Sequence, residues 1–186
     1  IVSGSNLKMI AAEVMASLSA NGIPRVVVLQ NEIEEPINVV AARHARSLGA
    51  LVILNAAPAR PLCAELAALV DVLVVNRVEA AMMSGQPVSS IKEAQAALPV
   101  LQTLCKSVIV TMGGLGLIVA EDGKDAVVID AERITPVSTH VAGDCFIGQL
   151  AAALATGVPL PEASRLASRT AAAYVAGQLQ DGASGV

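Results

Sequence analysis

Aromatic side chains are almost missing from this sequence: among 186 residues there is no Trp, one Tyr (Tyr174) and one Phe (Phe146). Stacking platforms for bases or sugars are therefore nearly absent. Cysteine is scarce as well. Cys63, Cys105 and Cys145 are odd in number, widely spaced and form no CxxC pair. That pattern argues against a disulfide framework or a zinc site and fits a reducing cytosol. Positive charge is not in excess, with 12 Lys and Arg against 16 Asp and Glu and a formal net charge of -4. The basic patch or stripe of a nucleic-acid protein is lacking. No apolar run reaches the roughly 18 residues of a membrane-spanning helix, and no secretory signal pattern opens the chain. The first residue is Ile1 rather than Met, so the natural N-terminus is expected to lie upstream.

What is abundant is small aliphatic surface. Hydrophobic residues make up 54% and charged residues 15% of the chain. Such a chain is too apolar for disorder and long enough for one domain with a real core. The core must be built from Ala, Val, Leu and Ile. A parallel sheet covered by helices on both faces accommodates this composition, because its strands read as continuous apolar runs.

Four such runs stand out: Val26–Gln30, Leu51–Asn55, Val72–Asn76 and Ser107–Thr111. Each is Val/Ile/Leu-rich and about as long as a buried strand. Residues 36–48, 61–70, 79–84 and 90–105 alternate with them and read as helices, the first two opened by Pro36 and Pro61. Gly49 suits the end of the first. Residues 116–120 and 126–130 then read as two strands joined through Asp122-Gly123, a hairpin-type turn. Two Ala-rich helices follow at 142–156 and 161–177, and residues 181–186 read as a frayed tail. No repeat or linker divides the chain, which predicts one α/β domain over 1–186. The alternation implies parallel strands with right-handed crossovers. Ligands bind such sheets at the carboxyl ends of the strands. Here those ends are polar: Gln30-Asn31-Glu32, Asn55, Asn76 and Thr111.

Three stretches can carry chemistry. In Val141-Ala142-Gly143-Asp144 a loop of small residues enters a long helix, whose first turn has unpaired N–H groups and a positive dipole end. Gly143 lets the backbone approach a ligand. Asp144 beside that anion site can take a proton from a hydroxyl attacking a phosphoryl group. The same residues also suit an ordinary helix start with a dipole-favoured Asp. Thr111-Met112-Gly113-Gly114-Leu115-Gly116 follows a strand, but a strand rather than a helix comes next, which rejects a dinucleotide fingerprint. A nucleotide loop and a plain turn both remain open. Asn76-Arg77-Val78-Glu79 leaves a strand end for a helix. Glu79 can hold magnesium directly or through water, or be an exposed first-turn Glu. His44 is expected on a helix surface. No Ser-His-Asp or metal-ligand cluster is visible.

Taken together, 52–61 (Val-Ile-Leu-Asn-Ala-Ala-Pro-Ala-Arg-Pro), 70–80, 109–116 and Ala142-Gly143-Asp144 follow one order and spacing. In these stretches the chain resembles the ribokinase-like carbohydrate kinases, the PfkB family, from Ile1 to about Gly182. The resemblance implies a three-layer α/β/α fold with a mostly parallel sheet, and transfer of the ATP γ-phosphate to a sugar hydroxymethyl group. It implies that Asp144 is the catalytic base, that Val141, Ala142 and Gly143 form the anion hole, and that Asn76 and Glu79 serve magnesium and phosphate. It implies that Thr111, Gly113 and Gly116 form the nucleotide loop, that Ser168 lies near the adenine, and that Glu32 contacts the sugar. The implied ligands are a small-molecule sugar, ATP and Mg2+, in a cytoplasmic enzyme.

The departures are local. Val141 stands where the family has Gly or Ala, and Cys145 where it has Thr or Ser. Arg77 and Val78 replace a common Glu-Thr. Ser138 replaces an Asp that contributes to a monovalent-cation site, which weakens the case for K+ activation. The family's N-terminal part, with an Asp-bearing strand, a Gly-Gly sugar loop and a β lid that often forms a homodimer, has no counterpart in 1–186. The alternatives are a nucleoside kinase of the same fold and a non-catalytic paralogue that binds nucleotide or sugar without turnover.

Overall fold

The computed structural model describes residues 9–20, 22–135 and 141–177. In chain order the elements are α1 (Ala11–Ala20), β1 (Val26–Gln30), α2 (Glu35–Ser47), β2 (Leu51–Asn55), α3 (Ala64–Leu69), β3 (Val72–Asn76), α4 (Arg77–Ser84), α5 (Ile91–Leu101), β4 (Ser107–Thr111), β5 (Leu117–Ala120), β6 (Val127–Ile129), α6 (Ala142–Ala155) and α7 (Leu160–Val175). The strands form one sheet in the order β1-β2-β3-β4-β5-β6. β1 to β4 run parallel, and β5 and β6 are antiparallel to their neighbours.

Both faces of the sheet are covered, which is why the strands read as unbroken apolar runs. Successive side chains of a strand point to opposite faces. Val52, Leu54, Leu73, Val75, Val108 and Val110 pack on one face against α2 to α5. Ile53, Val72, Val74 and Ile109 pack on the other against Phe146, Ile147 and Leu150 of α6 and Ala163 and Ala167 of α7. The result is three layers, α/β/α. Each fully buried aliphatic side chain contributes roughly 1.5–3 kcal/mol by leaving water. Ala41, Ala42, Ala94 and Ala97 are buried where helix meets sheet, so small residues bring the layers close.

The four parallel strands match the apolar runs residue for residue, but several helix ends differ. α3 starts at Ala64 rather than Pro61, because Cys63 is the cap: its N–H donates to Glu35 Oε1 (3.0 Å) and its Sγ accepts from the Leu66 N–H (3.4 Å). α5 stops at Leu101, short of Cys105, two residues after the internal Pro99. Pro removes a backbone donor and crowds the preceding turn. The strands at 117–120 and 127–129 are joined by a longer loop than a two-residue turn, with Gly123 at φ 70°. α1 was not expected from the sequence. It buries no residue fully, but Val14 and Leu18, one turn apart, pack partly buried against the core. His44 lies on the surface of α2, half-buried, and its Nε2 hydrogen-bonds Ser19 Oγ (2.9 Å). Ser138, His140 and the tail at 181–186 lie outside the described residues.

Candidate active site

The carboxyl ends of the parallel strands do not form one level edge. Asn76 of β3 pairs with Thr111 of β4, whereas Gln30 of β1 pairs with Asn55 of β2 and Asn55 pairs with Val74. The β1–β2 end therefore lies two residues below the β3–β4 end. Over this step opens a cavity of about 1000 Å³, at the upper end of the usual ligand range. Asn76, Glu79, Thr111, Gly113, Gly116, Val141, Ala142, Gly143, Asp144 and Ser168 all line it. Glu32 does not. It sits half-buried in the turn after β1, and that turn is joined to the cavity wall by the Asn31 N–H, which donates to the carbonyl of Ala57 (3.1 Å).

Two helix starts face the cavity. At α4, Asn76 is the cap. Its Oδ1 accepts from the N–H groups of Val78 (2.8 Å) and Glu79 (3.0 Å). The Glu79 carboxylate reaches back, accepting from Asn76 N–H and Asn76 Nδ2 at 2.8 Å each. This is a complete capping box. It corrects the expectation of an exposed Glu79, which is only 6% exposed. Burial pushes the Glu79 carboxyl above its ordinary range, opposed by the two hydrogen bonds from Asn76.

At α6 the arrangement is the reverse. Val141 occupies the cap position with φ 65° and ψ 0°, and no side chain caps the helix. A β-branched residue in the left-handed region is strained. The first helical bond is donated by the Cys145 N–H to the carbonyl of Val141 (3.0 Å), so the N–H groups of Ala142, Gly143 and Asp144 precede the helical ladder. Asp144 is exposed and makes no hydrogen bond or ion pair among the described residues.

Between β4 and β5 a short 3-10 turn, Gly113–Leu115, lies over the sheet end. Gly113 has φ 60° and open space where a Cβ would stand. Gly116 is different. It has φ 94°, and a Cβ there would lie 2.1 Å from the Ile129 carbonyl oxygen. Its need for glycine is met by β6, not by a ligand. The far wall is apolar, made by Leu117, Phe146, Ala171, Ala172 and Val175, with Ser168 half-buried among them. Arg133, which the sequence did not single out, also lines the cavity and has no ion-pair partner among the described residues. A lone basic residue four positions after the strand of 127–129 was its only signal.

The arrangement suits a long ligand, apolar at one end and anionic at the other. A Cβ built on Gly113, Gly114 or Gly143 meets nothing within 4 Å, leaving backbone open to phosphate oxygens along that side. Among the described residues no three His, Cys, Asp or Glu side chains cluster as a metal cage. Each Glu79 oxygen accepts one bond from Asn76 and keeps a lone pair for a metal-bound water.

The model of the pfkB family carbohydrate kinases matches residues 5–180. The chain belongs to that family. It is 31% identical over 178 residues to a ribokinase of Haemophilus influenzae, covering 94% of this chain and 57% of that protein. A ribokinase of Staphylococcus aureus is 32% identical over 149 residues, 80% of this chain and 49% of that one. Among solved structures, that of Arabidopsis thaliana ribokinase complexed with ribose and ATP superposes with a TM-score of 0.83 at 27% identity, over 94% of this chain and 57% of that chain. The pfkB-family chain thus spans about half the length of these relatives. No helix among its described residues is long and apolar enough to cross a membrane.

Proposed function

We propose that the protein to which this chain belongs transfers the γ-phosphate of ATP to a hydroxymethyl group of a sugar such as ribose. One observation carries the reading: a helix start whose first N–H groups precede the helical ladder and the Asp144 carboxylate, with no hydrogen-bond or ion-pair partner among the described residues, stand in the same cavity. The likeness to the A. thaliana enzyme, whose structure holds ribose and ATP, supports it. Asp144 accepts the acceptor hydroxyl proton as that oxygen bonds the γ-phosphorus and the bond to the β–γ bridging oxygen breaks. The N–H groups of Val141, Ala142 and Gly143 stabilise charge on the transferring group. Asn76, Thr111, Gly113 and Gly116 border the nucleotide phosphates, and Ser168 borders the base. Glu79 would hold magnesium, directly or through water. Magnesium, when bound, supplies charge neutralisation on the phosphates. Glu32 contacts the acceptor from the β1 turn.

The test is Asp144→Asn in the full-length protein with MgATP and ribose. ADP formation is expected to fall on the order of 10²- to 10⁴-fold, with ATP affinity unchanged by titration calorimetry. Turnover within tenfold of the unsubstituted enzyme removes Asp144 from the mechanism. The strained Val141, 46% exposed at the anion site, favours one second reading, a paralogue that binds ATP without turnover. ATP binding with no ADP formed from any pentose, hexose or nucleoside would support that reading instead.

A further inference from the structure

The turn that carries Glu32 is held by a guanidinium. Arg60 Nη1 donates to the carbonyl of Ile33 (2.7 Å) and to that of Asn31 (3.4 Å), the two carbonyls on either side of Glu32. The same turn is tied to the 57–60 segment twice more, by the Asn31 N–H to the Ala57 carbonyl (3.1 Å) and by Asn31 Nδ2 to the Pro58 carbonyl (3.0 Å). Arg60 Nε and Nη2 are buried and have no hydrogen-bond partner among the described residues. A guanidinium buried with donors unmet is costly, and neutral groups hold most surface turns more cheaply. One guanidinium nitrogen, Nη1, reaches both carbonyls.

We infer that Arg60 is the positioning residue for Glu32, fixing the carbonyls that flank it and so setting where its carboxylate stands beside the cavity. This rests on the reading that Glu32 contacts the acceptor. Arg60 itself touches neither substrate; it acts through the turn.

The test uses the full-length protein, with KM measured separately for acceptor and ATP, and thermal unfolding alongside. Arg60→Met is expected to raise the acceptor KM on the order of tenfold, the worth of about one hydrogen bond, with ATP KM within twofold of the unsubstituted value. Arg60→Lys, which keeps a cation with donors for the same carbonyls, recovers most of that loss. Arg60→Gln carries the test should R60M not fold, with the same rise expected. In the double variant E32Q/R60M the acceptor KM is no higher than in E32Q, because Arg60 has nothing left to position. A lowered unfolding temperature with unchanged acceptor KM in R60M or R60Q overturns the assignment, as do E32Q and R60M effects that multiply. An E32Q acceptor KM that stays unchanged overturns the Glu32 reading and this inference together. An E32Q effect without an R60M effect overturns this inference alone.

Discussion

The starts of α4 and α6 open onto the same cavity and are built in opposite ways. At α4 the chain satisfies its own first turn: Asn76 and Glu79 exchange three hydrogen bonds across the cap, and the Val78 N–H donates a fourth to Asn76 Oδ1. At α6 nothing among the described residues caps the first turn, and Val141 is held in a conformation that side chains of its shape avoid. A capped terminus gains stability from its cap, about 0.5–2 kcal/mol. An uncapped one forgoes that gain and keeps its donors for something else. The α4 start is thus built as a strut, and the α6 start, on the reading proposed above, as a receptor.

Substitutions should separate the two roles. The largest effect is expected at Gly143. A Cβ there meets nothing within 4 Å among the described residues, so Gly143→Ala should leave stability within about 0.5 kcal/mol. The methyl group enters the space beside the open N–H groups, and kcat should fall on the order of 10²-fold, as when one oxyanion-hole donor is lost. Differential scanning fluorimetry beside steady-state kinetics reads both. A G143A variant that loses its fold as well as its turnover would make α6 a strut too and end the contrast.

Next comes Asn76→Ala, which strips α4 of its cap. Stability should drop by about 1 kcal/mol, which in a domain of this size lowers Tm by about 2–4 °C. An unchanged Tm would mean that the capping box does not brace the helix.

The smallest effect is expected at Val141. Val141→Gly releases the left-handed strain, worth about 1–3 kcal/mol, part of it offset by the freedom glycine gains unfolded. A net rise in Tm of a few degrees is expected, on the order of 1 kcal/mol. A fall would show that the valine side chain, not the backbone alone, holds the start of α6.

The sheet was open to reading because both of its faces are buried. Leu51–Asn55 and Val72–Asn76 are apolar at nearly every position, and the polar residue that ends each run ends the strand. The site was half legible. Asn76-x-x-Glu79 carries its cap signature in its spacing, but the burial of Glu79 depends on how α4 packs against the sheet, which no local pattern encodes. Gly116 looked like a loop glycine opened toward a ligand. Its requirement comes from Ile129, thirteen residues on in the chain, and only strand pairing brings that carbonyl over it. The left-handed Val141 runs against its own side-chain preference, so local propensity points away from it. Arg60 reaches carbonyls 27 and 29 residues earlier, a contact set wholly by the alignment of two strand ends.

The close approach of Gly116 to β6 has a consequence for binding energetics. With the Ile129 carbonyl occupying the place of a side chain, the end of the Gly113–Gly116 turn is wedged, and the Met112 N–H closes it by donating to the Gly116 carbonyl (2.8 Å). This floor of the cavity is stiff before any ligand arrives. If a nucleotide settles there, as proposed above, it has little chain to order, and its contacts with this turn count toward affinity with a small entropic loss.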